Sequence, residues 1–216
     1  MSRDVQPIDV AVCEPSRAGP VHQLLACLGI EARAAPDLAR HAPAGRVIVC
    51  LDNPLVTACV RAEGEAMTAH GALDEWESRY HELRARTPRR LRLVVHSDSL
   101  RHDPQAEAGR LVSWLGVRVS TELLAEAAAE VVGSLGTQRS TAEDLLASGA
   151  SDSLIGLYVD LCAEAGPVYH RALAAEAGRQ RVGVLGPTQR DGLRSELGAA
   201  ELMARLQAEL TDTVRT

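Results

Sequence analysis

Histidines are the first residues in this chain that invite a chemical reading; there are seven. His22 stands near the start of a segment with helical character, and His96 ends an apolar run. A neutral imidazole can take a proton from an acceptor hydroxyl at ordinary pH. Strand ends are where α/β sheets place their ligands. Glu63 and Glu65, on the segment after Asn53-Pro54, are the carboxylates that could face a cleft as a base. Each also has a plain structural reading: His96 as a satisfied strand-end residue, His22 as a surface residue, the glutamates as a solvated helix face. No H-E-x-x-H or comparable spacing occurs, so no metal site is expected. The five cysteines (Cys13, Cys27, Cys50, Cys59 and Cys162) are odd in number and lack C-x-x-C spacing. They read as small, mostly buried thiols in a reducing compartment, with no disulfide framework. Arg84, Arg86, Arg89, Arg90 and Arg92 form one basic cluster. It suits an acidic partner or a sulfated or phosphorylated substrate, or else simply solvates a turn.

Strands and helices must position these residues. Residues 8–13 (IDVAVC), 46–51 (RVIVCL) and 91–95 (LRLVV) are short apolar runs rich in β-branched side chains, the pattern of buried strands. Between them, residues 21–28 read as a helix stopped by Gly29, and residues 55–69 look helical. Over residues 72–86, Leu73, Trp76, Tyr80 and Leu83 share one helical face. Asp103 and Pro104 suit a helix start, with Leu111, Trp114 and Leu115 on one side of that helix, and Ser120 suits another start. Residues 154–165, 168–179 and 193–210 also read as helices, joined to the rest by a Gly/Ser/Thr-rich stretch. Alternating strands and helices predict an α/β fold, a mainly parallel sheet flanked by helices, with residues 8–13, 46–51 and 91–95 as neighbouring parallel strands. The expected organisation is a core over residues 1–133 and a helical C-terminal extension over 134–216 packed on it.

With 216 residues, 46% hydrophobic and 24% charged, the chain is long enough for one well-buried domain and too apolar for general disorder. Phenylalanine is absent, so Leu, Val, Ala and Ile must fill the core. The net charge of −6 argues against nucleic acid or an anionic membrane as partner. No signal-peptide pattern and no span-length apolar segment is present, so a cytoplasmic location is expected.

Residues 91–117, LRLVVHSDSLRHDPQAEAGRLVSWLGV, run from strand to acidic turn to a helix that starts on Asp-Pro and stops on Gly. This order resembles the late core of the sulfotransferase family, and with the Trp76/Tyr80 helix the likeness is most specific over residues 72–125. The resemblance implies a P-loop-like fold of the sulfotransferase type and 3′-phosphoadenylyl sulfate as cofactor. It also implies transfer of a sulfuryl group to a hydroxyl on a small-molecule or glycan acceptor. The loop EPSRAGP then looks like the family's R-S-G-T loop, with Ser16, Arg17 and Gly19 toward phosphate and His22 or Glu65 as base. Pro20 departs from that pattern, because it has no N–H to offer. Leu51-Asp52-Asn53-Pro54 resembles the family's R-[DN]-P turn, but Asp52 replaces the arginine; Arg61 is the nearby candidate to substitute for it. A carboxylate there repels phosphate by about 1 kcal/mol at ~4 Å even in water. The alternative is a catalytically silent member of the fold, kept as a binding or assembly partner, with a protein partner or a second copy as its target. A glycosyl-transfer variant on a related fold is a third reading. Weak or absent binding of an activated-sulfate nucleotide is expected.

Overall fold

A computed structural model describes residues 8–11, 19–34, 45–64, 67–135 and 140–183. Among these residues four strands, β1 (Ile8–Ala11), β2 (Ala32–Ala34), β3 (Val47–Leu51) and β4 (Arg92–His96), make one sheet in the order β2-β1-β3-β4. Every neighbouring pair is parallel, so the three strands expected from the apolar runs do lie side by side. All five residues of β3 are buried, as in a strand covered on both faces. Strand order reverses between β1 and β3, as in doubly wound sheets. Strand β2 was not expected: Ala-Arg-Ala has no apolar run and no β-branched residue. It is placed by pairing with β1, and Arg33 reaches across that pairing to the buried Asp9 carboxylate.

Local signals set the helix ends. Helix α1 (Gly19–Cys27) stops just before Gly29, whose φ of 68° suits glycine. Helix α2 (Pro54–Gly64) is shorter than the expected 55–69, and α3 (Ala69–Arg86) starts on a Thr68 cap. The expected turn after β4 is instead a short helix, α4 (Ser97–His102), capped by the His96 side chain. Helix α5 (Pro104–Leu115) begins on Asp103, which accepts from the Ala106 amide, and ends on Gly116 at φ 68°. Helix α6 (Thr121–Ser134) begins on the Ser120 cap. Helix α7 (Ala142–Ala147) is nucleated by a reciprocal capping box between Thr141 and Asp144. Helices α8 (Asp152–Glu164) and α9 (Gly166–Gly183) follow.

Alternation along the strands divides the core. Ile48, Cys50, Leu93 and Val95 face one way, into a cluster with Leu24 and Leu25 of α1, Leu111 of α5 and Val131 of α6. Val47, Val49, Leu51 and Val94 therefore face the other way, where α8 packs on β4 and on α3. Here Trp76 stacks near Tyr80 and meets Tyr158 edge-on. At the edge of the sheet, Arg92 forms a two-pronged ion pair with Glu164. Arg110, paired with the fully buried Glu107, donates to the Val94 carbonyl at 2.6 Å.

The chain divides into two compact units, Met1–Ala172 and Leu173–Thr216. The first includes α7, α8 and the first turns of α9. Of the second, only residues 173–183 are described, and they are helical; the expected helix over 193–210 lies outside the described residues. Among the described residues no helix is long and apolar enough to cross a membrane.

Candidate functional site

The C-terminal ends of β3 and β4 meet in a small cavity of about 10 Å³, lined by Pro20, Val21, Cys50, Asp52, Ser97 and Leu135 among others. That is room for about one water. Ser97, the first residue of α4, lines this cavity, while the His96 ring at the end of β4 lies against Tyr158 and Tyr169 instead. Asp52 is only 8% exposed and accepts a hydrogen bond from the Ser97 hydroxyl. One turn further along α4, Arg101 donates to Ser97 Oγ at 3.0 Å and to Asp98 Oδ1 at 2.8 Å. The result is a hydrogen-bonded chain: Asp52, Ser97, Arg101, Asp98. Burial pushes the Cys50 thiol up, and the Asp52 charge pushes it the same way, so this cysteine is held as an unreactive thiol.

Asn53, the next residue, is fully engaged. Its amide donates to the carbonyls of Ser140 and Thr141 at 3.1 and 2.9 Å, and its Oδ1 accepts from the Leu55 amide at 3.0 Å. The Asn-Pro turn thus ties the start of α7 to the start of α2.

Comparison with known proteins finds no matching protein family and no matching curated sequence.

Arg61, a candidate phosphate contact, is 8% exposed and pairs with Glu75 of α3 at 2.8 Å. Burial alone would raise the Glu75 carboxyl, but Arg61 and Arg79 together hold it below the ordinary carboxylate range. Gly19 is the first residue of α1, is exposed, and has no atom within 4 Å of where a Cβ would stand. His22 lies one residue beyond the cavity-lining Val21. Its Nε2 is buried with no hydrogen-bond partner among the described residues, and burial lowers its pKa. Ser16, Arg17 and Glu65 lie outside the described residues, as does the side chain of Glu63. In the basic cluster, Arg84 pairs with Asp160, Arg86 with Glu82 and Arg92 with Glu164, while Arg89 and Arg90 are exposed. Among the described residues no group of three or more His, Cys, Asp or Glu is placed to hold a metal ion.

The sequence reading missed Ser97 and Arg101. Their four-residue spacing has meaning only on a helix. No common capping residue marks the start of that helix, because its cap is His96.

Proposed function

We propose that this chain is a sulfotransferase-type protein that no longer binds an activated-sulfate nucleotide well and acts as a binding or assembly partner. The observation that carries this reading is Asp52. Where the family's turn would place an arginine for phosphate, a carboxylate is buried at the end of β3 and held by Ser97. Two cations stand nearby: Arg61 is engaged with Glu75, and Arg101 with Ser97 and Asp98. Bringing phosphate there would require two anions to share a poorly solvated crevice. The parallel sheet, the Asp-Asn-Pro turn after β3 and the acidic segment after β4 support the finer fold assignment.

A second reading keeps the chemistry: sulfuryl transfer from 3′-phosphoadenylyl sulfate to an acceptor hydroxyl, with Ser16, Arg17 and Gly19 at phosphate. What favours it is His22, whose imidazole burial biases further toward the neutral form that a general base requires.

Calorimetric titration with adenosine 3′,5′-bisphosphate separates the two. Weak or absent binding by the unmodified protein is expected. Asp52→Arg should strengthen it and make it more salt-sensitive. Binding through a rebuilt loop would instead be lost on Arg17→Ala, by about 1.5–3 kcal/mol. Tight binding that ignores both substitutions would overturn this placement of the site and the claim that it is silent.

A further inference from the structure

The far side of the β4 end holds a second polar cluster, which the nucleotide reading does not use. His96 is 1% exposed. Its Nδ1 accepts the Asp98 amide at 3.1 Å and thereby caps α4, while its Nε2 lies 3.1 Å from the Tyr158 hydroxyl. An amide can only donate, so Nδ1 carries no proton and Nε2 must carry one. The ring also lies against Tyr169, with centroids 4.1 Å apart and planes 30° from parallel.

A proton arriving at Nδ1 can therefore do only one thing at first: break the cap. The Asp98 carboxylate is already 3.7 Å from Nδ1, and a shift of about 1 Å would bring it to hydrogen-bond distance. That same carboxylate presently holds Arg101 at 2.8 Å. Asp98 thus stands between two cations, one permanent and one that exists only after protonation.

We propose that His96 is a proton-operated latch, holding α4 against the end of β4 when neutral and passing Asp98 from Arg101 to itself when protonated. Helix α4 carries Ser97 and Arg101, so releasing the latch loosens the Ser97–Asp52 contact on the opposite face of the sheet. The Nε2–H bond to Tyr158 is common to both states, so the imidazole stays anchored while its other edge changes partner. The switch depends on no assumption about what the crevice binds.

Each group facing the imidazole has a definable effect. Burial lowers the His96 pKa, Asp98 of α4 and Asp52 after β3 pull it back up, and Arg101 of α4 pushes it down. From α8 and α9, Tyr158, Cys162 and Tyr169 remain neutral: burial raises both phenols and pushes the Cys162 thiol up to about 12. The Tyr169 face can also support an imidazolium by cation–π attraction. A histidine whose folded pKa is depressed stabilises the fold fully above its unfolded value, about 6.5. That stability is lost as pH falls through the folded value.

The test is a pH titration of the full-length, ¹⁵N-labelled protein from about pH 7.5 to about pH 5, following the His96 ring nitrogens and hydrogen exchange at the Asp98 amide. The neutral Nε2–H tautomer is expected at the start, with protonation centred below the ordinary histidine value. In step with it, the Asp98 protection factor should fall about tenfold, the scale of a lost helix cap. His96→Asn, whose side-chain oxygen can still accept the amide, should keep that protection across the range. Asp98→Asn, which retains the backbone cap but has no charge to attract the imidazolium, should move the midpoint to lower pH. Should His96→Asn not fold, Asp98→Asn carries the test. The latch is overturned by an Nδ1–H tautomer at neutral pH or by protonation that leaves Asp98 protection unchanged. It is equally overturned by an unmoved midpoint in Asp98→Asn, or by a ring that stays neutral until the protein unfolds.

Discussion

A carboxylate taken out of water needs donors, and one that Asp52 has is the Ser97 hydroxyl. Removing that hydroxyl should cost more than removing an exposed one. Ser97→Ala is expected to lower stability by about 1–3 kcal/mol, the range for an unsatisfied buried polar group. Ser113→Ala, on the exposed face of α5, should change it by less than about 0.5 kcal/mol. Chemical denaturation of the two variants measures the difference; equal effects would mean that Asp52 does not depend on Ser97. At this scale the sequence was readable in part. Asp52 stood out because a phosphate-binding turn calls for the opposite charge. Ser97, Arg101 and the partner of Arg61 could not be read, because each depends on a side chain brought from another turn or another helix. His96 was read with two meanings and has a third, as the cap of α4.

The helices whose caps are written locally were legible: Asp103-Pro104 and Ser120 start α5 and α6, and Gly116 stops α5, as their types suggest. Helix α4 was not, since its cap is a histidine, an uncommon capping residue. Nor was β2, whose three residues become a strand only beside β1. Asn53 shows how one residue can govern a distant element. It supplies two hydrogen bonds to the entry of α7 and satisfies a first-turn amide of α2. Asn53→Ala should therefore free both. A loss of about 2 kcal/mol is expected from three modest bonds that water partly replaces. Hydrogen exchange should rise selectively over residues 142–147, and a change spread evenly over the molecule would contradict the tether.

For the molecule as a whole, the sequence showed the layer order but not how much of the chain the sheet requires. Helix α8 buries Leu154, Leu157, Tyr158 and Leu161, and it packs on both α3 and β4. At about 2 kcal/mol for each such side chain, that face contributes about 8 kcal/mol. This is comparable to the whole stability of an ordinary domain, about 5–15 kcal/mol. A chain ending at residue 150 should consequently show no cooperative thermal transition and should bind a hydrophobic dye; a sharp transition near that of the full chain would make α8 dispensable. The same region bears on how molecules of this protein meet each other. Among the described residues strand β4 is the last of the sheet, and the outward peptide groups of a last strand are a template on which any other strand can dock. Here the Arg110 guanidinium, drawn close by the buried Glu107, occupies the Val94 carbonyl that an incoming strand would need. A pair of residues that looks like an internal fastening is thus also a guard on the border of the sheet, keeping each copy of the protein from becoming the next strand of its neighbour.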